Sequence, residues 1–179
     1  GEGKVGKSWA LAALCGEDTG SMAGSGNTTW GIDRGDLTLP HPDKPETEIH
    51  FNTWDFGGQA VYRVTHQFFF SEQAIFLLVW DPRRDPTQCR VREWLRLIAL
   101  RTGYEDSHGT TDGTSSRPRA KVIMVATHAK ESGGTYNPEY GYDSLRADLQ
   151  AMIVGSIEID SDSDTSYNIE ALRKLVARH

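Results

Sequence analysis

The sequence predicts an α/β fold with a mainly parallel sheet flanked by helices. Two observations carry this prediction. Short, continuous apolar runs of strand length recur along the chain, and segments with helical spacing of apolar residues lie between them. The runs at 74–80 and 121–126 are the length of strands buried in a parallel sheet, and the first, which is bounded by an Asp-Pro pair, is interpreted as a central strand buried on both faces. Strands that alternate with helices in this way are typical of the α/β class.

The other elements follow from the local spacing of apolar residues. In chain order we expect a helix at 7–14, a short strand at 36–39 closed by three prolines, a half-buried strand at 48–54, a helix over 91–99, a helix at 143–153, a short strand at 156–159 and a helix at 169–177. The segment 105–118 is rich in Ser, Thr, Gly and Asp, which predicts a long loop.

Composition narrows the classes of function. The chain has 179 residues, enough for about one domain, and its 37% hydrophobic and 25% charged residues are ordinary for a globular protein. The net charge of −6 argues against nucleic-acid binding. No apolar run approaches the roughly 18 residues that a membrane span needs. Two cysteines give no disulfide framework or metal pattern, so we expect a cytoplasmic protein.

The first eight residues match the complete pattern G-x-x-x-x-G-K-[ST]. They are Gly1, Glu2, Gly3, Lys4, Val5, Gly6, Lys7 and Ser8. The glycines let successive backbone N–H groups face one phosphate, and the helix that follows adds the positive end of its dipole. Lys7 supplies a positive charge to the β and γ phosphates, and the Ser8 hydroxyl is a hard oxygen ligand for Mg²⁺. This phosphate loop predicts binding of a nucleoside triphosphate with magnesium.

A phosphate loop of this kind normally follows a strand. No residue precedes Gly1, so the first strand of the fold is apparently absent from this chain. We expect that strand to be central in the sheet and to lie upstream in the natural protein. Residues 1–179 are then interpreted as a single domain and as a fragment of a larger multidomain protein.

A second motif follows the predicted strand at 48–54. It reads Asp55-Phe56-Gly57-Gly58-Gln59. A carboxylate at the end of a strand beside the phosphate loop can hold Mg²⁺, which makes Asp55 a candidate metal ligand. The two glycines, Gly58 in particular, allow a backbone N–H to approach the γ-phosphate. Gln59 is expected to orient the attacking water.

The region from 53 to 81 carries a specific resemblance. Its residues are Trp54-Asp55-Phe56-Gly57-Gly58-Gln59, Tyr62, Thr65-His66-Gln67-Phe68-Phe69 and the strand ending in Trp80-Asp81. Together they resemble the Roc domain of Roco proteins, a branch of the Ras-like GTPases, and the resemblance covers nearly the whole chain. It implies a Ras-like P-loop NTPase fold that binds GTP or GDP with Mg²⁺ and hydrolyses GTP slowly. It also implies a COR-type domain downstream, leucine-rich repeats upstream and a homodimer of the full-length protein.

The resemblance further implies roles for single residues. Thr29 is similar to the first-switch threonine whose hydroxyl meets Mg²⁺, and Thr28 is the alternative. Lys7 and Gln59 take the catalytic roles. Arg63 is interpreted either as a transition-state arginine or as a solvated side chain.

The base-recognition segments depart from the family pattern. The run after the strand at 121–126 is Thr127-His128-Ala129-Lys130, with lysine where the family has an aspartate that selects guanine. Lys130 is a donor only and cannot accept hydrogen bonds from the base, and Glu131 is the alternative acceptor. Thr127 and His128 still match their positions near the phosphate loop and the purine. A backbone N–H near Ser163 is expected to meet the base oxygen.

Two other functions stay open at this point. One is a nucleotide-binding scaffold or dimerisation module with little hydrolysis and relaxed base specificity, which Lys130 favours and Gln59 opposes. The other is an ATPase of another P-loop class. Guanine or adenine selectivity is the property that separates them.

Overall fold

The structure is a computed structural model that describes residues 1–17, 19, 29, 31–58, 69–71, 73–102, 120–130, 142–160 and 167–179. The elements are α1 (Lys7–Cys15), β1 (Ile32–His41), β2 (Lys44–Phe56), β3 (Ile75–Trp80), α2 (Pro86–Cys89), α3 (Val91–Arg101), β4 (Lys121–Ala126), a 3₁₀ helix (Tyr142–Ser144), α4 (Ala147–Met152), β5 (Ile153–Glu158) and α5 (Ile169–Arg178). Helices and strands alternate after the first hairpin, as the α/β prediction requires.

The described strands form two sheets. β3, β4 and β5 make a three-stranded parallel sheet in that spatial order, and β1 and β2 make an antiparallel hairpin. Each parallel strand ends at the same edge of the sheet, so the residues that follow β3 and β4 lie near each other. Ligand sites in open α/β sheets form at this edge.

Helices cover both faces of the parallel sheet. Alternate residues of β4 are buried on opposite sides, as the two-residue period of a strand requires. On one side, Trp94 and Leu95 of α3 and Met152 of α4 pack against the sheet residues Leu78, Trp80 and Met124. On the other side, Leu14 of α1 and Leu172 of α5 pack against Val79, Ile123, Val125 and Ile159. The predicted sheet flanked by helices is therefore confirmed.

The hairpin strands are longer than predicted. The expected strands at 36–39 and 48–54 are the middle parts of β1 and β2, and Pro40 lies within β1 rather than beyond it. The prediction was wrong because β1 pairs only with β2 in the described residues, so a residue without an N–H is tolerated at its outer edge. The register shifts between Pro40 and His41, where the chain turns.

The strand at 74–80 was predicted to be central and buried on both faces. In the part of the chain that the structure describes, β3 pairs only with β4, and β4 is the central strand. Ile75, Phe76 and Leu77 are half-buried, whereas five of the six residues of β4 are buried. An apolar run indicates burial without giving the order of strands, which is why the two strands were not distinguished.

An open cavity of about 840 Å³ separates β2 from β3. Its walls include Phe51, Thr53, Ile75, Leu77 and Val79 together with residues of α1 and α5. Gly1 lies at one end, so close to the end of β3 that a Cβ atom there would stand 2.0 Å from the carbonyl oxygen of Val79. The upstream strand expected from the phosphate loop would reach Gly1 at this place, and its presence stays a prediction.

A candidate phosphate-binding site

The phosphate loop leads directly into α1. Gly6 is the N-cap of the helix with a left-handed φ of 83°, a conformation that glycine adopts without steric cost. No side chain caps the helix start, so its first N–H groups are left for another acceptor. A Cβ atom at Gly6 would stand 3.3 Å from Cγ2 of Thr127. The sequence therefore forms an anion-binding turn of the kind that phosphate-binding helices use.

Lys7 lies across the curve of the loop. Its Nζ donates a hydrogen bond of 2.7 Å to the carbonyl oxygen of Glu2. Burial lowers the pKa of the Lys7 amine, and the carboxylates of Asp55 and Glu2 act against that shift. The amine is thus held close to the backbone where the β and γ phosphates are expected.

Three side-chain oxygens meet beside the start of α1. Ser8 Oγ lies 2.9 Å from Thr29 Oγ1 and donates to Oδ2 of Asp55. Thr29 Oγ1 is 3.1 Å from the same carboxylate oxygen, and Asp55 is only 8% exposed. The structure therefore brings together the three residues predicted as metal ligands. Two hydroxyls and one carboxylate are hard oxygen donors, which is the ligand type that Mg²⁺ requires.

The turn after β2 closes onto the phosphate loop. A Cβ atom at Gly58 would lie 2.6 Å from the Glu2 carbonyl oxygen, 2.6 Å from Cα of Gly3 and 2.5 Å from Nζ of Lys7. Only glycine fits there. Gln59, which was predicted to orient water, lies outside the described residues, as do Thr28 and Arg63.

Thr127 ties the loop to the ends of two parallel strands. Its hydroxyl hydrogen is shared between the carbonyl oxygens of Val5 at 2.9 Å and Trp80 at 3.2 Å, and the Trp80 carbonyl also accepts the backbone N–H of Thr127 at 3.0 Å. The residue is 3% exposed, so the hydroxyl replaces water as the partner of both carbonyls. This geometry agrees with the position that the sequence predicted for Thr127.

The base-recognition residues are described only in part. His128 is half-buried in a left-handed conformation with φ 59°, and Lys130 is exposed. Glu131 and Ser163 lie outside the described residues. At the position where the family pattern has a carboxylate, this chain therefore has the exposed cation of Lys130.

The sequence analysis did not identify two side chains, Arg84 and Trp94, that hold the phosphate loop through hydrogen bonds. The Arg84 guanidinium donates to the carbonyl oxygens of Gly3 and Lys4, at 3.0 and 2.5 Å. Trp94 on α3 is buried, and its Nε1 donates to Oε1 of Glu2 at 3.1 Å. The only available signal was position, since Arg84 follows a buried strand at the edge where the parallel strands end.

Comparison with known proteins agrees with this geometry. The family described as "Ras of Complex, Roc, domain of DAPkinase" matches residues 1–107. The probable serine/threonine-protein kinase roco5 of Dictyostelium discoideum is 40% identical over 104 residues, which are 56% of this chain and 3% of that protein. The leucine-rich repeat serine/threonine-protein kinase 1 of Mus musculus is 27% identical over 95 residues, or 52% of this chain and 4% of that protein.

A solved structure extends the likeness over the whole chain. The Methanosarcina barkeri Roco2 RocCORdC structure, bound to GDP, covers 99% of this chain with a TM-score of 0.68 and 26% identity. This chain matches 46% of that one. The residues that the structure describes include no helix long and apolar enough to cross a membrane. The family match, the relatives and the fold agree, and the chain belongs to the Roc family, the Ras-like GTPase domain of Roco proteins.

Proposed function

We propose that this chain binds a guanine nucleotide with Mg²⁺ and hydrolyses GTP slowly, as the nucleotide switch of a multidomain Roco-type protein. The observation that carries the proposal is the cluster of Ser8, Thr29 and Asp55 oxygens beside an intact phosphate loop. Residues 1–8 and Gly58 bind the phosphates in this account.

The roles follow from the positions of the groups. Backbone N–H groups of the loop and the start of α1 hold the phosphates, and the Lys7 amine stabilises the charge that develops during transfer. Ser8, Thr29 and Asp55 hold Mg²⁺, which when bound neutralises phosphate charge. Gln59 orients a water molecule for attack on the γ-phosphorus, and the products are GDP and inorganic phosphate.

Guanine selectivity depends on residues other than those that bind the phosphates. In this proposal Thr127 and His128 lie beside the phosphate loop and the purine, and a backbone N–H near Ser163 would meet the base oxygen. The GDP bound to the Roco2 protein supports a guanine ligand here. Lys130 removes the usual carboxylate acceptor, so selectivity has to come from Glu131 or from backbone groups.

The proposed partners come from the family. A COR-type domain follows the Roc domain in the Roco2 protein, and we propose the same order here, with leucine-rich repeats upstream and a homodimer of the full-length protein. This chain spans 2–5% of the length of the curated relatives that it matches, so most of such a protein would lie outside it. We propose a cytoplasmic location because Cys15 and Cys89 are both free thiols, as a reducing compartment would keep them.

Single-turnover hydrolysis tests the enzymatic part. The full-length protein is loaded with radiolabelled GTP, and release of phosphate is followed with Mg²⁺ and with EDTA. We expect slow release that requires Mg²⁺ and is lost in Lys7→Ala. Lys174→Ala, which changes a lysine on α5, is the matched control and should keep the wild-type rate.

A scaffold without turnover is the second candidate, and Lys130 is the observation that favours it. It predicts that GTP and ATP bind equally and that no phosphate is released with Mg²⁺ present. Lys130→Asp separates the two accounts further. If the site reads guanine, restoring the carboxylate should raise the preference for GDP over ADP, since the base then regains its acceptor.

A further inference from the structure

Arg84 contacts the backbone of the phosphate loop through two hydrogen bonds. One guanidinium nitrogen donates to the carbonyl oxygen of Gly3 at 3.0 Å, and the other donates to that of Lys4 at 2.5 Å. These are charge-assisted hydrogen bonds, which are stronger than neutral ones. Arg84 is 80 residues away from Lys4 in the chain, so the contact depends on the tertiary fold.

The two carbonyls determine where neighbouring N–H groups point. In a planar trans peptide the C=O and the following N–H point in opposite directions. Holding the Gly3 and Lys4 carbonyls on Arg84 therefore turns the N–H groups of Lys4 and Val5 away from it. Amides turned away from Arg84 in this way are available to a phosphate in the curve of the loop.

Lys4 itself makes this support necessary. It has a left-handed φ of 58°, which brings the Cβ atom of a residue with a side chain too close to the following carbonyl oxygen. A residue stays in such a conformation when contacts with the surrounding structure hold its backbone there. The bonds from Arg84 to the carbonyls of Gly3 and Lys4 hold the peptides on the two sides of the strained residue.

Arg84 is in turn anchored at the end of β3. Its Nε lies 3.4 Å from Oδ2 of Asp81, a carboxylate that is 2% exposed. Arg83 fixes the same carboxylate through Nε at 3.0 Å and Nη2 at 2.9 Å. The backbone N–H of Arg84 donates to the Asp81 carbonyl at 3.1 Å. The guanidinium is therefore oriented before any ligand arrives.

We propose that Arg84 is a positioning residue that sets the orientation of the Lys4 and Val5 amides and, through them, the affinity of the loop for the phosphates of a nucleotide. The inference rests on the proposed function for the identity of the ligand. A role in stability alone would not change how the loop contacts the phosphates. The positioning role predicts such a change when Arg84 is removed, although the Arg84 side chain itself contacts only the loop carbonyls.

Arg173 provides a matched control for the test. It also donates to two backbone carbonyls, those of Leu14 at 2.9 Å and Ala13 at 3.4 Å, but at the opposite end of α1. Arg84→Ala and Arg173→Ala thus remove the same kind of contact from the same loop–helix segment. Arg84→Lys keeps a charge without the planar fork and can reach one carbonyl at a time.

The experiment uses the full-length protein loaded with GDP and Mg²⁺, well below the unfolding temperature of each variant. Dissociation of GDP and the ³¹P chemical shift of its β-phosphate are measured. We expect dissociation about tenfold faster in Arg84→Ala, the effect of losing about one charge-assisted hydrogen bond, with a moved β-phosphate signal. Arg84→Lys should recover part of the loss. Arg173→Ala should stay within about twofold of wild type on the same scale.

Equal acceleration in Arg84→Ala and Arg173→Ala, or an unmoved β-phosphate signal, would overturn the inference. A wild-type protein that binds no GDP would instead contradict the proposed function. In that case hydrogen exchange of the loop amides at 3–6 is compared in the ligand-free proteins. Faster exchange in Arg84→Ala than in Arg173→Ala supports the positioning role, and equal exchange rejects it.

Discussion

Gly58 is the residue at which the turn after β2 approaches the phosphate loop most closely. A side chain there would meet backbone atoms of Glu2 and Gly3 at 2.6 Å, and these cannot move aside as a flexible side chain can. Gly58→Ala should keep the turn away from the γ-phosphate, lowering single-turnover GTP hydrolysis about 10²–10³-fold, the effect expected when one transition-state hydrogen bond is lost. GDP binding should change little, since GDP lacks that phosphate.

Gly35→Ala is the matched control for this change. A Cβ atom at Gly35 in β1 would meet only the Thr53 hydroxyl, at 3.0 Å. The same added methyl group should therefore leave hydrolysis close to the wild-type rate. Wild-type hydrolysis in Gly58→Ala would show that the turn does not act on the γ-phosphate.

Thr127 supplies the hydroxyl that joins the phosphate loop to β3. Thr127→Val keeps the shape but removes the hydroxyl donor from the Val5 carbonyl, while the Trp80 carbonyl keeps the backbone N–H of residue 127. The free energy of unfolding should fall by about 1–2 kcal/mol, measured by urea denaturation. Thr127→Ser keeps the donor and should cost less. A loss in Thr127→Ser as large as that in Thr127→Val would show that keeping the hydroxyl does not preserve stability, and it would contradict this role of the donor.

Asp81 makes the free energy of unfolding depend on pH in the acid range. Burial raises the pKa of its carboxyl, but the hydrogen bonds and charge of Arg83 outweigh burial and hold the pKa below its ordinary value. A carboxyl with a lowered folded-state pKa contributes stability above its unfolded pKa of about 3.9, and that stability is lost as pH falls through the folded value. Asp81→Asn should abolish this part of the loss in urea denaturation between about pH 5 and 2.

At neutral pH the same variant leaves two arginines without their shared counter-charge. We expect Asp81→Asn to lower the free energy of unfolding by about 2 kcal/mol, below the range for a fully buried pair because Arg83 is 38% exposed. An unchanged slope of stability with pH would mean that Asp81 has the same pKa in the folded and unfolded chain.

Single residues were predictable where a motif fixes their spacing. Lys7, Ser8 and Asp55 follow from short patterns whose chemistry is the same in any phosphate site, and the structure brings Ser8 and Asp55 into contact. Arg84 could not be predicted in this way. Its partners are carbonyl oxygens, which every residue has, and they lie far away along the chain.

At the scale of elements, buried segments were predicted best. β4 matches the prediction of 121–126, and the five apolar residues that predicted a helix over 91–99 are the buried residues of α3. The helix expected at 143–153 is instead a 3₁₀ turn at Tyr142–Ser144 followed by α4 at Ala147–Met152. Ile153 and Val154 begin β5, as suits β-branched residues beside a buried strand.

The cavity between β2 and β3 gives a prediction about an element. Its apolar walls and the position of Gly1 suit one strand that enters the phosphate loop beside β3. Extending the chain with about six native upstream residues should raise the free energy of unfolding by a few kcal/mol, since each buried aliphatic side chain contributes about 1.5–3 kcal/mol before ordering costs. Urea denaturation of both lengths measures the change.

A control extension of equal length, with its apolar residues changed to serine, should add little. Such an extension can form backbone hydrogen bonds but cannot fill the apolar walls. Equal stabilisation by both extensions would mean that burial in the cavity is not the cause. No stabilisation by the native extension would contradict the predicted strand.

At the scale of the whole molecule, family membership follows from the match over residues 1–107 and from the fold of the entire chain. The sequence predicted this membership because the motif from 53 to 81 is dense, while its base-recognition residues departed from the pattern. Because of Lys130, the choice of base is the property in which this chain departs from the family pattern. The phosphate side of the site is independent of that choice.

The central claim is tested most directly by equilibrium binding of fluorescent GDP and ADP to the full-length protein with Mg²⁺. The account predicts that GDP binds at least about tenfold more tightly than ADP, a difference of about 1.4 kcal/mol in binding free energy. It also predicts that removal of Mg²⁺ weakens GDP binding. Equal binding of the two nucleotides, or binding of neither, would contradict the guanine-nucleotide switch proposed here.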